Sequence, residues 1–282
     1  MNIAIVTLPW QLGARGAGAG RGPEAILNAG LIDQLIESGH RVGTPSNAEL
    51  TPDEQKQYGA WNKTGHGNAH LARLIAEERR DENFVLALES DCSASVGALA
   101  GLQQSGAAHI GMVWIDAHAD FNTPETTLSG MLGGMPAAIA AGLCLERLRT
   151  QSGLRQPIQA RDIVMVGLRD VDPLEQQLLD EHGVEQVEAD SQRLKDAVDR
   201  LARRVDAIYV HVDWDVLDPN DIPTASLAVP NGPTLDELAR LVSAALQNPK
   251  VVMLGYAAFN ADKDKDRVVA RNLANQVVDA LR

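Results

Sequence analysis

The chain has 282 residues, 45% of them hydrophobic, which is enough for one large α/β domain with a buried core. Its 38 acidic residues outnumber its 25 basic residues and give a net charge of −13. Phosphate groups are bound by clustered Lys and Arg side chains, so this balance argues against a nucleic-acid or anionic-membrane surface.

Short apolar runs alternate with longer amphipathic segments along the chain, a pattern typical of a parallel sheet covered by helices. The predicted strands are Ile3–Leu8, Phe84–Leu88, Ile110–Ile115, Ile163–Val166, a weaker one near Gly183–Val187, Ala207–Val212 and Val251–Leu254. The predicted helices lie near Pro23–Ser38, Ala69–Arg79, Ser93–Leu102, Pro173–His182, Ser191–Arg203, Thr234–Gln247 and Asp266–Leu281, with Thr234 as an N-cap. We therefore predict an α/β fold, a three-layer α/β/α sandwich with a central, mainly parallel sheet, as a single domain over residues 1–282.

A glycine-rich segment, Gly13–Pro23, follows the first predicted strand and precedes the first predicted helix. It lacks the Gly-Lys-Ser/Thr of a P-loop, and the spacing of Gly16, Gly18 and Gly20 does not fit Gly-x-Gly-x-x-Gly. The segment is therefore predicted to be a loop on the substrate side rather than a phosphate loop.

Two predicted strands end in dense clusters of polar side chains. Asp116, His118 and Asp120 follow Ile110–Ile115 at intervals of two residues, so their side chains project to the same side of an extended segment. Ligands bind beyond the carboxyl ends of the strands in an open parallel sheet. Two carboxylates that converge on an imidazole suit a divalent cation, whereas the alternative, a solvated acidic turn, usually has no buried strand before it.

The second cluster follows the predicted strand Ala207–Val212. Asp213 and Asp215 again lie two residues apart, while Asp218 is expected to shape a turn with Pro219. Clustered carboxylates raise one another's pKa by repulsion, and a dication removes that penalty. Together the two clusters predict a metal site.

The run Asp116-Ala-His118-Ala-Asp120-Phe-Asn122 and the run Asp213-Trp-Asp215-Val-Leu-Asp218-Pro219 resemble the paired signatures of the arginase–agmatinase (ureohydrolase) family. Gly20–Leu27 resembles the family's first helix. The resemblance implies two Mn²⁺ ions bridged by Asp116 and Asp213. His118 and Asp215 would complete the shell of one ion and Asp120 would join the other. It also implies hydrolysis of a guanidino group, with Asp120 as the catalytic residue that relays a proton to the leaving amine.

The resemblance extends to the amino-acid end of the substrate. Asn122 and Ser129 match family residues that contact an α-carboxylate, and Asp172 matches the one that receives the α-amino group. Agmatine has no carboxylate, so these matches favour an arginine-like substrate. For Asn122 and Ser129, the alternative is a hydrogen-bonded turn.

Two departures from the family pattern lie near the metal residues. Cys92, in Glu89-Ser-Asp-Cys92, stands where most members have a metal-binding His. A thiolate is a softer ligand than Mn²⁺ prefers, so this second metal site is expected to be weak or empty. The alternative, that Cys92 is a small buried hydrophobe, stays open. Gly133 stands where arginases have a His that is proposed to shuttle protons.

A third departure affects the guanidino end of the substrate. Ala258 occupies the position of a family Glu that pairs with the guanidinium, and Glu89 or Glu125 is a candidate replacement. The chain thereby resembles a branch that includes amidinohydrolases of Nω-hydroxy-L-arginine. A hydroxyguanidine is less basic than a guanidine, so it depends less on an acidic partner.

The leading prediction is a manganese-dependent hydrolase that converts L-arginine or an arginine-like substrate to ornithine and urea. The alternatives are an Nω-hydroxy-L-arginine amidinohydrolase that releases hydroxyurea, and a non-catalytic homologue that binds metal or amino acid. The expected partners are a small guanidino amino acid and further copies of the chain in a trimer or hexamer, with no nucleic acid and no membrane.

Other features bear on location and on the remaining histidines. No apolar run reaches the roughly 18–20 residues of a membrane span. With no signal-peptide pattern at the N-terminus and with Cys92 and Cys144 as the two cysteines, we expect a cytoplasmic protein. His66 and His70 are expected at a helix entry or on the surface, and His211 is expected to point away from the metal residues.

Overall fold

The computed structural model describes residues 1–225 and 227–282, which build an α/β fold around one large sheet. The strands are β1 (Asn2–Leu8), β2 (Trp10–Gln11), β3 (Ala14–Arg15), β4 (Arg41–Val42), β5 (Ser46–Asn47), β6 (Phe84–Glu89), β7 (Ile110–Ile115), β8 (Ile163–Val166), β9 (Glu185–Val187), β10 (Ala207–Asp213) and β11 (Val251–Ala257). The helices are α1 (Gly22–Asn28), α2 (Leu31–Glu37), α3 (Pro52–Lys56), α4 (Ala60–Arg80), α5 (Ser95–Gln104), α6 (Pro136–Ala140), α7 (Glu146–Gln151), α8 (Pro173–Glu181), α9 (Ser191–Leu201), α10 (Leu235–Leu246) and α11 (Val268–Leu281).

The large sheet is parallel and has the order β4-β1-β6-β11-β10-β7-β8-β9, with β5 also paired to β1. Its central strands are apolar along their length because helices cover both faces. Helices α1, α2, α9, α10 and α11 contribute to the core on one face, and α4 to α8 contribute to the core on the other. The predicted parallel sheet between two helical layers is confirmed.

The short helices α3, α6 and α7 were not predicted, and two of the predicted helices have different bounds in the structure. The predicted helix Pro23–Ser38 is interrupted between α1 and α2, where Gly30 adopts a left-handed φ of +90°. Helix α4 begins at Ala60 rather than Ala69 and includes two glycines. An added Cβ at Gly65 would lie 2.9 Å from the Gln151 side chain, so close packing explains a glycine that sequence alone reads as a helix breaker.

Smaller features complete the fold. The N-cap predicted at Thr234 is confirmed, because its hydroxyl accepts a hydrogen bond from the Glu237 amide at 3.3 Å. The glycine-rich segment contains β3, which pairs with the preceding β2 in a hairpin, and a single turn at Gly18–Arg21. In the part of the chain that the structure describes, no helix has the length and apolar character needed to cross a membrane.

Candidate active site

The acids at the ends of β7 and β10 lie side by side because these two parallel strands are neighbours in the sheet. Two groups of possible metal ligands form there, and in each group the ligand atoms lie within 4.8 Å of one another. The first group is Asp116, His118 and Asp215, which we call the His118 side. The second is Cys92, Asp116 and Asp213, which we call the Cys92 side. Asp116 belongs to both groups.

On the His118 side, one imidazole nitrogen faces two carboxylates. The Nδ1 atom of His118 lies 3.4 Å from Asp116 Oδ1 and 3.3 Å from Asp215 Oδ2. Burial lowers the pKa of His118, but its hydrogen bonds to these two acids outweigh burial and raise the pKa to about 12. A protonated His118 thus supplies the positive charge that offsets the carboxylates when no cation is bound.

The Cys92 side is held together by a thiol and by main-chain and indole donors. The Cys92 Sγ–H donates to Asp213 Oδ2 at 2.8 Å, and the other oxygen of Asp213 accepts from the Asp215 amide at 2.7 Å. Asp116 Oδ2 accepts from the indole Nε1–H of Trp114 at 3.1 Å. Burial first, and then the Asp213 carboxylate, raises the pKa of the Cys92 thiol well above its ordinary value. The thiol is therefore a hydrogen-bond donor rather than a thiolate.

The electrostatics of the cluster fit a bound cation. Burial, followed by repulsion from Asp215, raises the pKa of Asp116 to about 7. Burial also raises the pKa of Asp120 and Asp213 well above the usual range of a carboxyl group. The Oδ1 atom of Asp215 is buried and has no hydrogen-bond partner among the described residues. Buried, mutually repelling oxygens with a free lone pair suit a hard or borderline divalent metal.

Asp120 is buried next to this cluster but outside both groups of closely spaced ligand atoms. Its backbone has a φ of +49°, a left-handed conformation that costs a non-glycine residue about 1–3 kcal/mol. Two contacts hold this conformation: the Asp120 carbonyl accepts from the Ala137 amide at 3.0 Å, and the next amide, of Phe121, donates to Glu175 at 2.8 Å. The fold therefore maintains a strained residue beside the metal candidates, as is common at active sites.

The structure brings together two of the three residues predicted to bind the amino-acid end of the substrate. The side-chain amide of Asn122 donates to Asp172 Oδ2 at 3.3 Å, and its carbonyl accepts from the Thr126 hydroxyl at 2.9 Å. Ser129 lies on an exposed part of the same loop and accepts from the Met131 amide at 3.2 Å. Asn122 and Ser129 thus make turn hydrogen bonds whether or not they also bind substrate.

Glu175 is a site residue that the sequence reasoning missed. Its buried carboxylate accepts from the amides of Phe121 and Asp172, and so joins the loop after β7 to the start of α8. Its pKa is raised by burial. The signal in the sequence was the spacing Asp172-x-x-Glu175 around a proline, which is typical of a capping box at a helix N-terminus.

None of the three residues that depart from the family pattern, Cys92, Gly133 and Ala258, supplies a carboxylate. Ala258 has a left-handed φ of +70°, and its amide donates to Ser90 at 3.2 Å. Glu89 is 2% exposed and bound to the hydroxyl of Tyr209, while Glu125 lies exposed on the loop. An added Cβ at Gly133 would meet no atom within 4 Å, so space is open there.

The prediction for His211 is wrong. His211 and Asp213 are two residues apart in β10 and therefore project from the same face of the sheet. The His211 ring stacks on Trp114, whose indole binds Asp116, so His211 lies directly beneath the metal candidates.

The other two histidines lie away from the cluster, in the first half of α4. His70 Nε2 lies 2.8 Å and His66 Nδ1 lies 3.2 Å from the carboxylate of Glu54, which precedes α4 in the chain. Burial raises the pKa of Glu54, but its hydrogen bonds to His70 and Thr51 outweigh burial and lower the pKa to about 2. Neither histidine belongs to a metal-capable group of the described residues.

Comparison with known proteins gives consistent matches. The model of the Arginase family matches residues 1–281. The arginase of Bacillus subtilis (strain 168) is 31% identical over 242 residues, which cover 82% of this chain and 81% of that protein. A crystal structure of arginase from Bacillus subtilis has 26% identity and a TM-score of 0.86, covering 100% of this chain and 98% of that one. The arginase of Entamoeba histolytica in complex with L-ornithine, at 24% identity, shares the fold with a TM-score of 0.86 over 99% of this chain and 98% of that one.

Proposed function

Because the chain belongs to the arginase family and is a hydrolase of carbon–nitrogen bonds other than peptide bonds, we propose that it is a manganese-dependent amidinohydrolase. The proposed reaction converts L-arginine or an arginine-like amino acid to ornithine and urea. The observation that carries this proposal is the buried cluster that Asp116 shares with His118 and Asp215 on one side and with Cys92 and Asp213 on the other.

The proposed ligands divide between two ions. Asp116, His118, Asp213 and Asp215 would hold the first, and Asp116, Asp120, Asp213 and Cys92 would hold the second. Oxygen and imidazole donors suit manganese, whereas the thiol of Cys92 suits it poorly, so the second ion is proposed to bind more weakly. When bound, a pair of such ions lowers the pKa of water and so provides a nucleophile near neutral pH.

The amino-acid end of the substrate is proposed to lie against the loops after β7 and β8. The negative charge of Asp172 complements an α-ammonium group, and the Asn122 amide and Ser129 hydroxyl can donate to an α-carboxylate. Asn122 already contacts Asp172, so one residue pair can hold both charged groups of the substrate at a fixed spacing. The L-ornithine bound to the Entamoeba histolytica arginase supports an amino acid as the ligand.

Asp120 is proposed to carry the proton in the cleavage step. Asp120 is a buried acid beside both groups of proposed ligands, so its carboxylate is placed to take up a proton that water releases. When the bond between the guanidino carbon and the side-chain nitrogen breaks, that proton passes to the departing amine, which leaves as the amino group of ornithine.

A second candidate substrate is Nω-hydroxy-L-arginine, which would yield hydroxyurea. It is favoured by the placement of Glu89 and Glu125, the two candidate replacements for the family Glu at Ala258: Glu89 is already bound to Tyr209, and Glu125 lies exposed on the loop. A guanidinium that enters a desolvated pocket without an acidic partner is costly. The less basic hydroxyguanidine avoids part of that cost.

A product assay tests the proposal. The protein, purified with manganese, is incubated with L-arginine, Nω-hydroxy-L-arginine and agmatine, and urea, hydroxyurea and ornithine are measured. We expect product from at least one of the two amino acids and little from agmatine. Absence of product from every guanidino amino acid, with substrate binding retained, would instead support a non-catalytic homologue.

A further inference from the structure

Three buried polar side chains lie beneath the metal candidates and have no role in the mechanism above. The hydroxyl of Tyr209 lies 2.8 Å and 3.0 Å from the two carboxylate oxygens of Glu89, and 2.9 Å from His211 Nδ1. All three residues are at most 2% exposed. Burying a carboxylate, a phenol and an imidazole costs free energy unless they form hydrogen bonds with one another. The hydrogen bonds within this group are therefore needed to offset the cost of its burial.

The hydrogen bonds of the group have one consistent direction. Burial and the Glu89 carboxylate raise the pKa of Tyr209 well above its ordinary value, so its hydroxyl donates to Glu89. The phenolic oxygen then accepts from His211 Nδ1–H. His211 Nε2 is buried and has no hydrogen-bond partner among the described residues. In this arrangement Nε2 carries a lone pair rather than a hydrogen, and an unpaired lone pair costs less free energy than an unpaired N–H. The orientation of the imidazole ring is therefore determined by Tyr209.

The ring of His211 in turn determines the position of an indole. Its centroid lies 3.9 Å from that of Trp114, with an angle of 19° between the ring planes. The indole Nε1–H of Trp114 donates to Asp116 Oδ2 at 3.1 Å, and the other oxygen of Asp116 accepts from the His118 amide at 2.8 Å. The contacts run without interruption from Glu89 through Tyr209, His211 and Trp114 to the carboxylate common to both metal groups.

The neighbouring strand leaves room for this arrangement. An added Cβ at Gly255 in β11 would lie 2.4 Å from the Tyr209 hydroxyl and 2.8 Å from Glu89 Oε1. Real contacts of this kind are longer than 3 Å, so any larger residue at position 255 would displace the Tyr209–Glu89 pair. The polar group therefore depends on a specific gap in the core of this face.

We propose that Glu89, Tyr209 and His211 are positioning residues that hold the Trp114 indole against Asp116 and so fix the orientation in which Asp116 meets a metal. This inference rests on the proposed metal site. Without the Tyr209 hydroxyl, the acceptor left to His211 Nδ1 is Glu89, whose Oε2 lies 3.4 Å away. We therefore expect the ring to move toward Glu89 and its stacking on Trp114 to change. Residues that orient a metal ligand from outside the first shell typically change metal affinity by about 10–100-fold when they are replaced.

The test compares three variants of the full chain: Tyr209→Phe, Glu89→Gln and Tyr256→Phe. Manganese affinity is measured from the electron paramagnetic resonance signal of free Mn²⁺, and the thermal midpoint is measured without metal. We expect Tyr209→Phe to weaken manganese binding about tenfold. Glu89→Gln keeps an acceptor for the tyrosine hydroxyl and is expected to stay within about threefold of wild type.

Tyr256→Phe is the matched control, since Tyr256 is equally buried but packs on Trp214 in the core of the opposite face. Equal manganese affinity in Tyr209→Phe and Tyr256→Phe, with only the metal-free midpoint lowered, would overturn the positioning role and leave a purely structural one. A loss in Glu89→Gln as large as in Tyr209→Phe would also overturn it, because that result would show that the negative charge of Glu89, rather than its hydrogen bond to Tyr209, controls manganese affinity. If the wild type itself binds no manganese, the proposed function fails instead.

Discussion

The two sides of the acid cluster share Asp116 but are stabilised in different ways. On the His118 side, the imidazole lies between two carboxylates, and the pKa of His118 is raised to about 12. On the Cys92 side, the thiol is a neutral donor to Asp213, and the pKa of both groups is raised by burial. One side carries its own positive charge without a metal, while the other has hydrogen bonds alone.

This difference indicates which side would bind a metal ion more tightly. A dication on the His118 side replaces the His118 proton and finds an imidazole and oxygen ligands, among them the unpartnered Asp215 Oδ1. A dication on the Cys92 side has to displace a hydrogen bond and either deprotonate a buried thiol or bind without it. We therefore expect the His118 side to bind manganese first and more tightly.

The largest effect is expected from Asp116→Asn, because Asp116 belongs to both sides. The substitution removes a negative charge from each proposed metal shell, and amidinohydrolase activity is expected to fall by at least about a thousandfold. Asp236→Asn, in the first turn of α10, is the control and should leave activity unchanged. Activity is measured as product release under saturating manganese. A loss below tenfold would show that neither side depends on Asp116.

The second prediction concerns pH. Metal ligation needs Asp116 ionised and His118 neutral, yet in the metal-free protein the pKa of Asp116 is raised to about 7 and that of His118 to about 12. Manganese binding therefore releases protons, and affinity should rise about tenfold per pH unit for each proton released. Between pH 6 and pH 8, the proton of His118 alone accounts for roughly a hundredfold, and ionisation of Asp116 adds up to about tenfold more. Calorimetry in buffers of different ionisation enthalpy measures the protons directly. Affinity that is flat over this range would contradict the assignment of His118 as a ligand.

In the metal-free protein, the raised pKa of Asp116 makes the folded state less stable as the pH rises. Because the folded state holds the Asp116 proton more tightly than the unfolded state, the stability from this group is fully present below about pH 4 and is lost as the pH rises through about 7. Manganese should therefore raise the thermal midpoint more at pH 8 than at pH 6. A metal-induced shift that is larger at pH 6 would have the wrong sign.

The third prediction concerns a substitution that makes the metal ligands of the two sides more alike. Cys92→His replaces a thiol by an imidazole, a better ligand for manganese, so the weaker ion should bind about tenfold more tightly and turnover of arginine should rise. The control is Cys144→His at the other free cysteine, which lies outside both groups. Manganese stoichiometry and kcat are the measurements. If neither changes in Cys92→His, Cys92 serves only to fill space.

The smallest effect is expected in the metal-free protein. His118→Asn removes the charge that offsets Asp116 and Asp215, and at pH 7 it should lower stability by about 2 kcal/mol, or about 5 °C in the thermal midpoint. Cys92→Ser keeps a donor to Asp213 and should cost less than half as much. Differential scanning calorimetry in the presence of a chelator measures both. An equal loss in the two variants would remove the distinction between the sides.

The sequence was sufficient for the features that arise within one strand and the turn after it. Asp116 and His118, like Asp213 and Asp215, repeat at two-residue intervals beyond buried strands, and parallel pairing then places them together. The same rule, applied to His211, places it on the face of Asp213, so the prediction for His211 misapplied a rule that was available.

Contacts between distant segments could not be predicted in this way. The bond from Cys92 to Asp213 depends on the turn after β6, and the bond from Phe121 to Glu175 depends on how two loops meet. Glu54 reaches His66 and His70 only because α3 packs beside α4. Each of these requires the position of one element relative to another, which local periodicity does not encode.

The expected difference in manganese affinity between the His118 side and the Cys92 side is tested most directly in crystals equilibrated with less than two equivalents of manganese, in which the positions of the ions are determined. Anomalous difference density at the manganese absorption edge reports the position and occupancy of each ion. We expect one strong peak within bonding distance of His118 Nδ1 and Asp215, with a weak peak or none beside Cys92. A stronger peak between Cys92 and Asp213, or no peak among these residues, would contradict it.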